Sequence, residues 1–345
     1  MANTRHLLQL SPEQLQAWFA DRGLPGYRAA QVRKWVFQKR AGRFEQMTDL
    51  PGSLREQLAE EFDVFAGQIA RHQTAADGTE KLLLQLADGE HVECVLLRDD
   101  KQRRTICVST QVGCAMGCAF CASGLDGVIR NLQSGEIIEQ MLQLGQLLAD
   151  DERLSHVVVM GMGEPLANLD ALLPALETAS SRDGLGIGAR RITISTVGLP
   201  AGIRRLSEAN RQYHLAVSLH AADDQLRNEL VPINRKLGIA AVLAAADEYF
   251  ERTGRRVTYE YVLLGGLNDQ PEHARRLVER LNGRPALLNA IPYNPVPGLS
   301  FRRPSSTAVS RFVEILERGG LNVKIRYRKG ERIDAACGQL RRGER

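Results

Sequence analysis

The stretch CVSTQVGCAMGCAFCASG, residues 107–124, decides how the rest of the chain is read. It sets Cys114, Cys118 and Cys121 at spacings of four and three, beside Gly113 and Gly117. Three thiolates on one loop can hold three irons of a 4Fe-4S cluster and leave the fourth iron without a protein ligand. An open iron suits S-adenosylmethionine, whose amino and carboxylate groups can chelate it. The competing reading is structural zinc, which takes four ligands, usually as two paired knuckles. Cys94, Cys107 and Cys337 supply no second CxxC pair, so ligand count favours the cluster.

Outward from this loop, strand and helix patterns alternate. Strand-like runs are TICVS (105–109), HVVVM (156–160), RITIS (191–195), YHLAVS (213–218), VTYEYVLL (257–264) and ALLNAIP (286–292). Amphipathic stretches lie between them, such as SGEIIEQMLQLGQLLAD, for which Ser134 is the expected N-cap. Six β/α units in a row predict an α/β fold, a partial (β/α)6 barrel built on a parallel sheet. Such a barrel gathers its site at the C-terminal ends of its strands. The polar exceptions of this chain recur there: the cysteine loop, GMGEPLAN with Gly163 and Glu164, Ser195, the Ser218-Leu219-His220 run, and PYNP with Asn294. Taken singly each reads as a turn, a cap or a core histidine; the recurrence carries the argument.

Upstream, KLLLQL, the turn ADGE and HVECVLL read as a hairpin. Before it, SPEQLQAWFA opens with a capping-box pattern, Ser11 to Gln14. The following YRAAQVRKWVFQKR offers Ala30, Val32, Trp35 and Val36 as an apolar stripe, with Arg28, Arg33, Lys34, Lys39 and Arg40 as a basic surface. A third helix is expected from Ser53. The chain thus divides into a basic helical unit (1–72), a hairpin connector (73–99), a core (100–331) and a C-terminal segment carrying Cys337 (332–345).

Charge is unevenly spread. The 345 residues carry a net +4, yet residues 1–43 alone hold +6 and residues 301–345 hold +7. Basic ends around an acidic centre suggest a polyanionic partner gripped at both termini. No signal peptide is evident, and no apolar run nears the ~20 residues of a membrane helix, so a cytoplasmic protein is expected, with no membrane partner. In a reducing compartment four cysteines within fifteen residues indicate metal or redox chemistry.

The CxxxCxxC triplet, with Phe120 before its last cysteine, fits the radical S-adenosylmethionine superfamily. Further runs resemble the RlmN/Cfr group of that superfamily, which are RNA methyltransferases: DGTEKLLLQL, CVSTQVGCAMGCAFCASG, RNL, SGEII, MGMGEPLAN, ISTVG, SLHAADDQLRNELVPIN, PYNP and IDAACGQL. The match runs from about residue 77 to 340, and the helical unit is similar to that family's accessory domain. The resemblance implies Cys114, Cys118 and Cys121 as cluster ligands. It implies Gly163, Glu164, Ser195, Ser218, Leu219, His220 and Asn294 as S-adenosylmethionine contacts. It implies Cys337 as the cysteine that is itself methylated, Cys107 as the one that resolves the adduct, and Glu93 as a proton acceptor. One more residue separates Glu93 from Cys107 than is usual in the family.

Such chemistry explains the extra cysteines. Adenine ring carbons are electron-poor, so direct transfer of a methyl cation to them is not feasible. In the two-stage route Cys337 first takes a methyl from one S-adenosylmethionine, and a radical made from a second activates that methyl for addition to the base. Cys107 then attacks the Cys337 sulfur and frees the RNA. Cys337 lies in a Gly-, Arg- and Lys-rich segment expected to be mobile, and Cys94 is expected to pack in the hairpin. The implied substrates are 23S rRNA and tRNA adenosines, methylated at carbon 2, with a flavodoxin-type electron donor and a monomeric enzyme. The alternatives are methylation at carbon 8, a radical enzyme with a non-RNA substrate, and a non-enzymatic RNA-binding module.

Overall fold

The computed structural model describes residues 4–99, 101–326, 328–330 and 333–341. Part of the basic tail, residues 342–345, lies outside these. Three helices open the chain: α1 (Pro12–Ala20), α2 (Tyr27–Phe37) and α3 (Gly52–Glu61). The capping box is closed as expected, Gln14 N donating to Ser11 Oγ at 3.2 Å and Ser11 N to Gln14 Oε1 at 2.8 Å. The stripe on α2 differs from the expected one. Ala29, Val32, Val36 and Phe37 are buried, whereas Ala30 is exposed and Trp35 only half-buried. Arg33 is the reason: it interrupts the apolar string, yet its stem occupies a place in the i, i+3, i+4, i+7 stripe. Its Nε meets Asp183 Oδ2 at 2.7 Å, and Arg40 donates to the carbonyls of Leu148 and Ala149 at 3.1 and 3.2 Å. Two of the five basic side chains expected to face a polyanion therefore dock the helical unit onto the core instead. Lys34 and Lys39 stay exposed.

Among the described residues the main sheet has ten strands, arranged side by side in chain order. They are β1 (Gln68–Thr74), β2 (Glu80–Gln85), β3 (His91–Arg98), β4 (Arg104–Cys107), β5 (His156–Val159), β6 (Ile192–Thr196), β7 (His214–Ser218), β8 (Val257–Leu263), β9 (Ala286–Pro292) and β10 (Val323–Ile325). From β4 to β10 every pairing is parallel; from β1 to β4 every pairing is antiparallel. The hairpin β2–β3 is thus the antiparallel flank of the core sheet. Two strands of this sheet escaped the sequence reading. The edge strand β1, QIARHQT, is almost wholly exposed and carries no apolar alternation, and β10 is three residues long.

Crossover helices connect the parallel strands, as one-handed βαβ connections require. They include α4 (Ser134–Gly145), α5 (Leu169–Ser180), α6 (Pro200–Glu208), α7 (Asp224–Leu230), α8 (Ile239–Thr253), α9 (Pro271–Leu281) and α10 (Ser306–Arg318). The N-cap of α4 is Gln133, whose N–H donates to Glu136 Oε2 at 2.8 Å; Ser134 is the first helical residue and its hydroxyl turns to Gln9. No helix among the described residues is long and apolar enough to cross a membrane.

Register fixes which residues look into the hollow of the curved sheet. Cys107 stands opposite Val95, so Glu93 and Val95 share its face while Cys94 points the other way. Cys94 is fully buried among apolar neighbours, in keeping with a packing role. Across the sheet, Ser218 pairs with Glu260 and Glu260 with Asn289, giving the hollow a polar rung.

Candidate active site

The strand tips β4 to β9 converge on a cavity open to solvent and lined by Cys114, Cys118 and Cys121. Two backbone constraints shape the cysteine loop. Gly113 sits at φ +79°, where a Cβ would lie 2.0 Å from the Gly127 carbonyl oxygen. Cys114 N then donates to that same oxygen at 2.9 Å, and Cys121 N closes a turn onto Cys118 O at 3.1 Å. Burial raises all three thiols, Cys114 to about 11, and neighbouring cysteines push Cys118 further. Among the described residues no three potential ligands stand close enough to hold a single ion. Three thiolates on one loop suit a cubane cluster, in which each would hold its own iron, better than structural zinc, which takes four ligands. Iron would supply the positive charge that thiolates buried here lack.

The next strand tip carries Gly163 and Glu164. Gly163 lies at φ +102°, and a Cβ there would fall 2.7 Å from the Gln111 side chain. Gln111 Oε1 accepts the Glu164 N–H at 2.8 Å. The Glu164 carboxylate is 2 % exposed and accepts N–H groups from Leu166 at 3.0 Å and Val197 at 2.9 Å. Burial nevertheless lifts it to about 7, the mark of a carboxylate short of a cation. The ammonium group of S-adenosylmethionine fits that need.

Ser195 and Ser218 face each other across β6 and β7, with hydroxyl oxygens 3.4 Å apart. His220 follows in the left-handed region at φ +58°, uncommon for a residue with a Cβ. Its Nδ1 accepts the Val262 N–H at 3.1 Å, and its ring packs edge-on against Phe120 with centroids 4.7 Å apart. Burial drives this imidazole down to about 3, so it is neutral. Leu219 is buried and serves through its backbone: its carbonyl accepts Arg227 Nε at 3.0 Å. Arg227 also donates to the carbonyls of Ser218 at 3.0 Å and Val197 at 2.6 Å. This fully buried guanidinium holds two strand tips together, and burial lowers it to about 10. Sequence reading missed its role, although Arg227 lies inside the SLHAADDQLRNELVPIN run. Asn294 completes the wall, its buried Oδ1 without a partner among the described residues.

Cys337 also lines the cavity, as do Arg326 and Glu260, neither expected from sequence. The segment around Cys337 is seated, not loose. Gly338 O accepts Ala122 N at 2.8 Å, Leu340 O accepts Ser123 Oγ at 2.6 Å, and Gln339 Nε2 reaches Pro295 O at 2.8 Å. Small buried Ala335 and Ala336 let it lie close. Behind Cys337 a second cleft of about 390 Å³ runs between Leu97, Arg328, Lys329 and Ala335, sharing Ile291, Asn294, Arg326 and Cys337 with the first.

Cys107 and Glu93 stand outside both walls. Cys107 is buried, its thiol pushed up to about 12 by desolvation and then by Cys337. Glu93 is held under the C-terminal segment: Lys81 Nζ lies 2.8 Å from Oε1, and Arg341 N donates to Oε2 at 2.9 Å. Its burial raises the carboxyl despite the Lys81 ammonium.

Comparison with known proteins accords with this geometry. Residues 108–278 match the family model for the radical SAM superfamily, and residues 5–64 that for the ribosomal RNA large subunit methyltransferase N-terminal domain. A Rhodopirellula baltica protein named "Probable dual-specificity RNA methyltransferase RlmN" is 62 % identical, covering 98 % of this chain and 91 % of that protein. The protein of the same name in Symbiobacterium thermophilum is 48 % identical, over 96 % of this chain and 90 % of the relative. The crystal structure of a radical SAM methyltransferase from Sphaerobacter thermophilus superposes with a TM-score of 0.95 at 42 % identity, covering 98 % and 99 % of the two chains.

Proposed function

Because the chain belongs to the RlmN family of radical S-adenosylmethionine RNA methyltransferases, we propose that it methylates carbon 2 of adenosine in 23S rRNA and tRNA through an S-methylated Cys337. The observation that carries this reading is the position of Cys337, in the wall shared by the cysteine-lined cavity and the basic second cleft. A sulfur there can meet a methyl donor on one side and a nucleotide on the other.

Cys114, Cys118 and Cys121 would hold the 4Fe-4S cluster and Glu164 the amino group of S-adenosylmethionine, and together these groups would supply the electron and the hydrogen-abstracting radical. Cys337 serves as methyl acceptor in the first stage and as covalent tether to the base in the second. Arg326 lines both clefts beside Cys337 and brings a positive charge to that wall. Glu93 receives the ring proton, aided by burial that raises its carboxyl. Once the adduct has lost its unpaired electron, which the cluster that would have supplied it can take back, Cys107 attacks the Cys337 sulfur: the S–S bond forms, the carbon–sulfur bond breaks with its electron pair on the exocyclic carbon, and the proton that carbon takes up to complete the methyl group balances the one lost from the Cys107 thiol. Proton transfer to Glu93 requires Arg341 N to leave Oε2.

The test is nucleoside analysis of methylated RNA. Reconstituted enzyme is incubated anaerobically with an rRNA hairpin or a tRNA, and the digested RNA is separated against 2-methyl- and 8-methyladenosine standards. The 2-methyl isomer is expected. The 8-methyl isomer would overturn the regiochemistry, and unmodified adenosine would overturn the reading itself.

A further inference from the structure

Glu260 is a buried carboxylate that the chemistry above does not use. It is 5 % exposed and lines the active-site cavity. Asn289 Nδ2 donates to its Oε1 at 2.9 Å, which fixes the carboxylate plane, while Oε2 has no partner among the described residues. A buried oxygen left without a donor is costly unless a ligand supplies one. Arg326 lies across the same void, its Nη1 3.5 Å from Met160 Sδ. Among the described residues it has no carboxylate within ion-pair distance; Glu260 and Arg326 attract each other across the void without a direct bond. Arg326 borders both clefts, as does Cys337.

We propose that Glu260 and Arg326 form the base-reading pair, the carboxylate accepting from the exocyclic amine of the target adenine and the guanidinium donating to an adjacent ring nitrogen. This rests on the reading of Cys337 as the methyl carrier, which requires the target base beside that sulfur. An unpartnered acceptor beside a guanidinium, which carries several donors, is the complement of an amino-purine edge. A keto base presents the reverse pattern: its carbonyl oxygen would face Oε2, and its ring N–H would face the guanidinium. The pair therefore rejects guanine and uracil. Glu260 shares its rung with Ser218, at the edge of the expected S-adenosylmethionine contacts, and with Asn289, and it precedes by two residues Val262, whose N–H is bound to His220.

The experiment compares kcat/KM for hairpin RNAs carrying adenosine, purine riboside or inosine at the target position. The wild-type enzyme is expected to lose on the order of 100-fold or more on purine riboside and inosine, since a site built to hydrogen-bond a group rejects analogues lacking it. In Glu260→Gln the side-chain amide can donate to the inosine carbonyl, so the adenosine-to-inosine ratio should narrow at least tenfold. The base series in wild-type enzyme stands without the variant, should the variant fail to fold. Equal use of adenosine and inosine by wild type, or an unchanged ratio in Glu260→Gln alongside weakened S-adenosylmethionine binding, would overturn the pairing. No methyl transfer even to adenosine would instead overturn the parent reading and, with it, this one.

Discussion

The neutral histidine beside the cysteine loop makes a quantitative prediction about stability. His220 is 5 % exposed and is held near pKa 3 by burial, whereas an unfolded histidine titrates near 6.5. Its folded value is depressed, so the stability tied to its neutral form is complete above pH 6.5 and is lost progressively as pH falls toward 3. Between pH 7 and pH 5 the linkage relation gives a loss of about 2 kcal/mol from this residue alone. The perturbation is His220→Asn, because asparagine tolerates φ near +58° and its Oδ1 can accept the Val262 N–H. Urea unfolding of cluster-free protein at pH 7, 6 and 5 supplies the assay. His156 and His214 are also lowered by burial and then by nearby arginines, but they are common to both proteins and drop out of the difference. The stability gap between wild type and variant should shift by about 2 kcal/mol in favour of the variant on acidification. Parallel pH profiles would refute the reasoning and mean that His220 is protonated in the folded state.

Two further predictions follow from the geometry. Lys34→Glu with Lys39→Glu, both exposed, should weaken RNA binding and flatten its salt dependence by about two phosphate contacts, with melting unchanged; an unaltered salt slope would exclude this face from RNA contact. Gly163→Ala forces a Cβ to within 2.7 Å of Gln111 at φ +102°, and should cost about 2 kcal/mol or more and abolish S-adenosylmethionine binding, measured by calorimetry.

Much of this architecture was legible because its signals are local. The six core strands, the hairpin and the Ser11 capping box each announce themselves within a few residues, and the cysteine spacing carries its own chemistry. What was hidden depends on the far side of the molecule. Arg33 and Arg40 look like surface cations, and only the fold brings them to Asp183 and to the Leu148 and Ala149 carbonyls. Arg227 reads as one more charge on a polar helix, yet it is fully buried because four acceptors, the carbonyls of Val197, Ser218 and Leu219 and the Asn234 side chain, converge on it. Glu260 sits in VTYEYVLL, where alternation identifies a strand but not that one face lines a hollow open to ligand. The seated C-terminal segment was equally invisible, since its anchors, Ala122, Ser123 and Pro295, are remote in sequence.

The central claim is that Cys337 carries the methyl group. Its most direct test is peptide mass spectrometry of Cys337 after anaerobic cluster reconstitution and incubation with methyl-labelled S-adenosylmethionine, without RNA. The account predicts one labelled methyl on the Cys337 peptide and none on the Cys107 peptide. An unmodified Cys337 in protein with an intact, reducible cluster would contradict it.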